Sequence, residues 1–213
     1  MKYVSIVGDS ISTYEGYNPY GFAVYYDYCM SEMNGLKSVY DTWWAKVNQN
    51  MHAFLCVNNS YSGSCVSGKY FPAGESIERI LNLRTEKYEP DYILVYIGFN
   101  DFANGRFDTF EDAYNNMLSA IKSNYPNAVV VCGTLMRTVV KGNPDWCFPE
   151  RFDGVLFEDY NDAIRRACQK NSCYLADLSE SDVRYETLDG VHPTAQGHDT
   201  IAGEWIRCLG LDS

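Results

Sequence analysis

The chain predicts an α/β protein built on a parallel sheet covered by helices on both faces, and three observations carry that expectation. Five short apolar, β-branched runs recur at residues 3–7, 53–57, 92–97, 128–132 and 173–176. Within each run the apolar character is nearly continuous rather than alternating, as in strands buried on both faces. The stretches between the runs are long enough for crossover helices, and several space their apolar residues at the helical period. With 213 residues, no Pro/Gly/Ser-rich linker and no internal repeat, the expectation is a single domain, residues 1–213.

The first run, YVSIV, stops at Gly8, Asp9 and Ser10. A serine there lies at the carboxyl end of a buried strand, where open α/β sheets place their ligands. The following connection, 11–40, is too long for a plain loop; it carries Tyr14, Tyr17, Tyr20, Phe22, Tyr25, Tyr26, Tyr28 and Tyr40 and leads into a short helix with Trp43 and Trp44. One of those tryptophans is expected in the core. The second run, AFLCV, ends in Asn58-Asn59-Ser60-Tyr61-Ser62-Gly63, and a loose helical pattern follows in Ile77, Ile80, Leu81 and Tyr88. The third, YILVYI, ends in Gly98-Phe99-Asn100-Asp101. Phe110, Tyr114, Met117, Leu118 and Ile121 then mark a helix over 110–121, behind an Asp108…Glu111 capping signature. After AVVVC comes a second long connection, 136–154, with Trp146, Phe148 and Phe152, and then a helical stripe of Leu156, Tyr160, Ala163, Ile164 and Ala167. CYLA closes the series. The last helix is expected to start at Pro193 and to bury Ala195, His198, Ile201, Ala202, Trp205 and Leu209.

Composition excludes several function classes. The net charge of −11, with no Lys/Arg block, argues against nucleic acid and against an anionic membrane surface. No apolar stretch approaches the ~20 residues that span a bilayer. Met1 and Lys2 run straight into the first strand without the pattern of a secretory leader, so the expected location is cytoplasmic. Of the eight cysteines, Cys56, Cys132 and Cys173 lie in or beside predicted strands and Cys168 and Cys208 in predicted helices, so reduced, packed thiols are expected rather than a disulfide scaffold. No Cys/His spacing of a zinc site occurs, and no G-x-G-x-x-G follows a strand, so neither metal nor cofactor is expected. The partner expected is a small-molecule ester.

Ser10, Gly63 and Asn100 fall just after predicted strands, and Asp189 and His192 just before the last helix, all on one edge of one sheet. Together they have the parts of an acyl-transfer site. A serine hydroxyl needs a base to become a nucleophile, and an imidazole, with an ordinary pKa of ~6.5, suits that task. Asp189 would fix the tautomer of His192. The oxyanion formed on attack needs donors, which the Ser10 and Gly63 N–H groups and the Asn100 amide can supply. Other nucleophile patterns are missing: G-x-S-x-G is absent, Asp9 lacks the second carboxylate of a D-x-D-x-T phosphatase, and Cys29 and Cys65 lack the strand-end setting of Ser10. His52 and His198 are expected to be structural.

These blocks resemble those of the SGNH (GDSL-type) hydrolases: Gly8-Asp9-Ser10 is similar to the first, Ser62-Gly63 to the second, Gly98-Phe99-Asn100-Asp101 to the third and Asp189-Gly190-Val191-His192 to the last. The resemblance spans nearly the whole chain and keeps block order; GDSI replaces GDSL at an apolar packing position. It implies a three-layer, flavodoxin-like fold on a five-stranded parallel sheet, with Ser10 as nucleophile, His192 as base, Asp189 as its partner, and Ser10, Gly63 and Asn100 as the oxyanion hole. It fixes the reaction and leaves the substrate open. Tyrosine-dense loops suit sugar rings better than acyl chains, so a short-chain, acetyl ester of a carbohydrate or other small polar alcohol is expected, with Tyr14, Tyr17, Trp146 and Phe148 as candidate substrate contacts. The alternatives are an acyl hydrolase of the lysophospholipase or thioesterase type, and a carbohydrate-binding module without turnover.

Overall fold

Residues 1–211 are described by the computed structural model, and the first four apolar runs form strands β1 (Lys2–Gly8), β2 (Ala53–Ser60), β3 (Tyr92–Tyr96) and β4 (Val129–Gly133). Three short strands follow, β5 (Thr138–Val140), β6 (Arg151–Phe152) and β7 (Val155–Leu156), before the fifth run, β8 (Tyr174–Ala176), and a last short strand, β9 (Tyr185–Thr187). The five runs join in one sheet in the order β2-β1-β3-β4-β8, with every pair parallel. That is the flavodoxin-like order, which reverses direction at β1 and β3 and so opens a crevice beyond their carboxyl ends.

The helices are α1 (Ser31–Asn34), α2 (Trp43–Asn50), α3 (Ile77–Leu81), α4 (Phe99–Ala103), α5 (Phe107–Asn124), α6 (Phe157–Asn171) and α7 (Ala195–Cys208). Crossovers between parallel strands are right-handed, so the step from β1 to β2 and the steps from β3 to β4 to β8, which run in opposite directions, put their helices on opposite faces. Accordingly α2 packs with α7, and α5 packs with α3 and α6. Both Trp43 and Trp44 are buried; Trp43 stacks on Trp205 of α7 with ring centroids 5.3 Å apart, and Tyr96 meets the pair edge-on. All eight cysteines are free thiols. Among the described residues no helix is long and apolar enough to cross a membrane.

Three local expectations change. The helix looked for between Ile77 and Tyr88 stops at Leu81, because Tyr125 Oη lies 3.0 Å from Ile80 O and accepts from Leu83 N at 3.2 Å, taking over bonds a further turn would make. Asp108 sits inside the first turn of α5 rather than capping it, since the helix already begins at Phe107. Pro193 precedes α7 instead of starting it. The N-cap is Thr194, whose hydroxyl accepts from Gly197 N, while Tyr26 Oη donates to Pro193 O at 3.0 Å. The parallel pair β5–β9 was not legible in the sequence; it lies beyond the main sheet and carries the chain into residues 189–192.

Candidate active site

Strand β1 delivers Ser10 into the crevice through a tight 3-10 turn, Ser10–Ser12. Asp9 caps that turn, its Oδ1 accepting from Ile11 N at 3.0 Å. The turn is held from behind: Trp43 Nε1 donates to Ser12 Oγ, and Trp44 Nε1 and Asn58 Nδ2 donate to Ser12 O. Two aromatic residues at the start of α2 and one amide at the end of β2 therefore set the direction of Ser10. Asp9 Oδ2 is buried with no hydrogen-bond partner among the described residues. Burial pushes the Asp9 carboxyl up to about 6 against the opposing pull of the Ile11 N–H, His192 and Arg79.

His192 reaches the same point from the other end of the chain. Its Nε2 lies 2.8 Å from Ser10 Oγ and its Nδ1 lies 2.7 Å from Asp189 Oδ2. A carboxylate can only accept, so Nδ1 carries the proton and Nε2 is left to accept from the serine. Asp189 divides its oxygens between two tasks. Oδ1 accepts the backbone N–H groups of Val191 and His192, which curls 189–192 into a turn, and Oδ2 faces the ring. Partial burial alone would raise its pKa; the His192 ring and backbone N–H and the Val191 N–H overcome that and hold the carboxyl well below its ordinary value. Ser10, His192 and Asp189 are thus one hydrogen-bonded line.

Gly63 and Asn100 share a second connected piece. Asn100, at the start of α4, donates one amide hydrogen to Ser64 O at 3.0 Å. Gly63 has φ +75°, a left-handed conformation that strains any residue with a Cβ. The carbonyl of Gly8, two residues before Ser10, receives Tyr61 N at 3.3 Å and Arg79 Nη2 at 2.6 Å, so the Gly63 turn is lashed to the end of β1. Arg79 is only 1% exposed and also donates to Asn59 Oδ1, Asn59 O and Pro72 O. Burial lowers its pKa to about 10, which leaves it charged at neutral pH. Asp101, next to Asn100, accepts from Val66 N, Ser67 N and Ser67 Oγ. Neither Arg79 nor Asp101 was read as a site-shaping residue in the sequence. Asp101 followed Asn100 in a quoted block, whereas nothing in the pattern set Arg79 apart.

The four aromatic candidates fall in different settings. Trp146 is half-exposed and lies against Gly190, between Asp189 and Val191. Tyr17 is half-exposed beside Tyr14 and Trp44. Tyr14 packs against the core and ties its backbone N–H to Asn18 Oδ1. Phe148 packs among Phe99, Phe102 and Phe157, where it anchors the 136–154 segment. Of the remaining histidines, His198 is fully buried, accepts from Trp43 N at 3.2 Å, and is driven down to about 3 by burial. A shallow cleft of about 430 Å³ opens beside Gly63, lined by Ser62, Ser64, Ser67, Lys69, Tyr70 and Arg106 among others.

A family model described as GDSL-like lipase/acylhydrolase matches residues 2–208. A curated multidomain esterase of Ruminococcus flavefaciens is 31% identical over 126 residues, which is 57% of this chain; the match covers 16% of that much longer protein. Two solved structures named as GDSL-like lipases are similar over almost their whole length. The one from Bacteroides ovatus has 25% identity and a TM-score of 0.73, covering 100% of this chain and 99% of its own. The one from Bacteroides uniformis has 27% identity and a TM-score of 0.71, covering 98% and 95%.

Proposed function

The chain belongs to the GDSL-like lipase/acylhydrolase family, and from that premise we propose that it is a serine esterase in which Ser10, His192 and Asp189 act as a catalytic triad. The observation that carries the reading is the line Asp189–His192–Ser10, with contacts of 2.7 and 2.8 Å. As Ser10 Oγ attacks the ester carbonyl, its proton passes to His192 Nε2, and Asp189 balances the imidazolium. The Ser10 N–H, the Gly63 N–H and the Asn100 side-chain amide receive the oxyanion. His192 then hands the proton to the departing alcohol, and water repeats the sequence on the acyl-enzyme. No cofactor takes part in these steps.

For substrate we propose a short-chain, acetyl ester of a carbohydrate or other small polar alcohol. The cleft beside Gly63 is lined by hydroxyls, Lys69 and Arg106, which suits a polyhydroxylated group. Exposed aromatic faces at Tyr17 and Trp146 offer platforms for a sugar ring. The Ruminococcus relative is named an esterase, which agrees with ester hydrolysis here.

The test is hydrolysis of p-nitrophenyl esters. Wild type is expected to be active on the acetyl ester, with Ser10→Ala lower in kcat by roughly 10⁴–10⁶ and Asn100→Ala by roughly 10²–10³. Equal rates from wild type and Ser10→Ala would instead favour a binding module. Rates that climb steeply from acetyl to octanoyl would move the substrate to a lipid or thioester acyl chain. A chelator should leave the rate unchanged.

A further inference from the structure

Tyr25 belongs to none of the sequence blocks that mark the site, yet it touches both partners of Ser10. Its ring lies flat on the His192 imidazole, with centroids 3.5 Å apart and planes 7° apart. Its hydroxyl donates to Asp189 Oδ2 at 3.2 Å, the same oxygen that faces His192 Nδ1. Its backbone N–H donates to Thr13 Oγ1 at 2.9 Å, and the Thr13 hydroxyl donates in turn to Ser10 O at 2.9 Å. The neighbouring Tyr26 packs edge-on against Tyr25, and its hydroxyl holds Pro193 O, the carbonyl just past His192. A single dipeptide from the long tyrosine-rich connection therefore grips the histidine by its ring face and by its backbone, while tied to the turn that carries the serine.

We infer that Tyr25 is a positioning residue: it clamps the plane of His192 and the carboxylate of Asp189 in register with the Ser10 turn. The inference rests on the esterase reading, since it assigns Tyr25 a role through the base of that reaction. A flat ring 3.5 Å away blocks the imidazole from rotating out of the line between Asp189 and Ser10. General-base transfer depends on that alignment. The electron-rich face also favours the imidazolium that forms in the reaction. Water in place of the ring could not substitute for it, because both imidazole nitrogens already have partners in Asp189 and Ser10. Burial and the nearby Asp189 push the Tyr25 hydroxyl up to about 12, so it keeps its proton and donates throughout the working range.

The experiment compares wild type, Tyr25→Phe, Tyr25→Leu and Ser10→Ala on p-nitrophenyl acetate, with kcat and KM measured across pH and thermal midpoints recorded. Tyr25→Phe keeps the stack and loses one hydrogen bond, so kcat is expected to drop about threefold to tenfold. Tyr25→Leu loses both contacts and is expected to drop kcat by about 30–100-fold, with KM within about twofold. In Tyr25→Leu the acid limb of kcat/KM is expected to move to lower pH, and in Tyr25→Phe to stay near its wild-type position. The other titratable groups around His192 are Asp189 on its own segment, Asp9 at the end of β1 and His198 beyond Tyr26. They are common to both variants, so a difference between the two profiles reports the ring. Tyr25→Leu with wild-type kcat, beside an inactive Ser10→Ala, would overturn the inference and leave the esterase standing. A kcat loss that follows a fallen thermal midpoint equally in both variants, with no recovery in Tyr25→Phe, would also overturn it. Wild type no faster than Ser10→Ala would overturn the esterase reading itself, a result no Tyr25 variant can produce.

Discussion

Near Ser10 and Gly63 the backbone is pinned by the buried charges of Arg79 and Asp101, whereas residues 189–192, besides the turn closed by their own Asp189 carboxylate, are tied to the rest of the fold by neutral hydroxyl groups. Arg79 binds three carbonyls from the ends of β1 and β2 and from the Pro72 loop, and Asp101 gathers the N–H groups of Val66 and Ser67. On the His192 segment, Thr138 Oγ1 donates to Gly190 O, Thr187 Oγ1 accepts from Gly190 N, and Tyr185 Oη donates to Val191 O. A charged donor or acceptor in a dry setting makes stronger bonds than a neutral one and cannot be removed without leaving several groups unpartnered. The difference teaches that the two regions are anchored by bonds of different kind: buried charges reach across to the turn that carries Gly63 and meets Asn100, and neutral hydroxyls reach across to the segment that brings His192.

Removing Arg79 is the severest challenge to that contrast. Arg79→Met fills much of the same volume but leaves the carbonyls of Gly8, Asn59 and Pro72 without their charged donor. The expected loss is about 3–5 kcal/mol of unfolding free energy, measured by urea denaturation. A loss under about 1 kcal/mol, within the range of an ordinary surface change, would mean that buried charge is not what fixes this side.

Much of this side was legible as location and little of it as support. The strands announced themselves because burial on both faces demands nearly unbroken apolar runs, and Ser10, Gly63 and Asn100 could be placed because each directly follows such a run. Arg79 carried no such mark. It lies in a short helix between Glu78 and Ile80, and its carbonyl partners are far apart in sequence, which no local pattern records. Tyr25 was hidden differently, as one tyrosine among many in the 11–40 connection, distinguished only once the chain folds it onto His192. The β5–β9 pair was invisible because two three-residue strands bury too little to impose a period.

Asp9 sharpens the same contrast through pH. Its carboxyl ordinarily titrates near 3.8, and burial raises it to about 6 in the folded chain. Between those values the folded state holds a proton that the unfolded state has released, so stability falls as pH rises through the window and levels off above it. A shift of that size corresponds to about 3 kcal/mol. Asp9→Asn retains an oxygen for the Ile11 N–H and has no such titration. Urea denaturation at pH 4 and pH 7 is therefore expected to show wild type losing about 2–3 kcal/mol relative to Asp9→Asn across the interval. The other carboxylates are common to both proteins and cancel in the difference. Parallel stability curves would mean that Asp9 is ionised at little cost in the fold.

The smallest effect is expected on the His192 side. Thr138 is fully buried, and its hydroxyl accepts from Phe148 N at 3.0 Å while donating to Gly190 O at 2.8 Å. Thr138→Val keeps the branched shape and strands both backbone groups, for an expected loss of about 1–2 kcal/mol. Because that hydroxyl links the 136–154 segment to the residue between Asp189 and His192, kcat on p-nitrophenyl acetate should fall with it, by a few-fold rather than by orders of magnitude. Thr187→Val removes the partner bond from Gly190 N and tests the same point from the opposite strand. If either variant cost as much as Arg79→Met, neutral hydroxyls would be holding this side as firmly as charge holds the other.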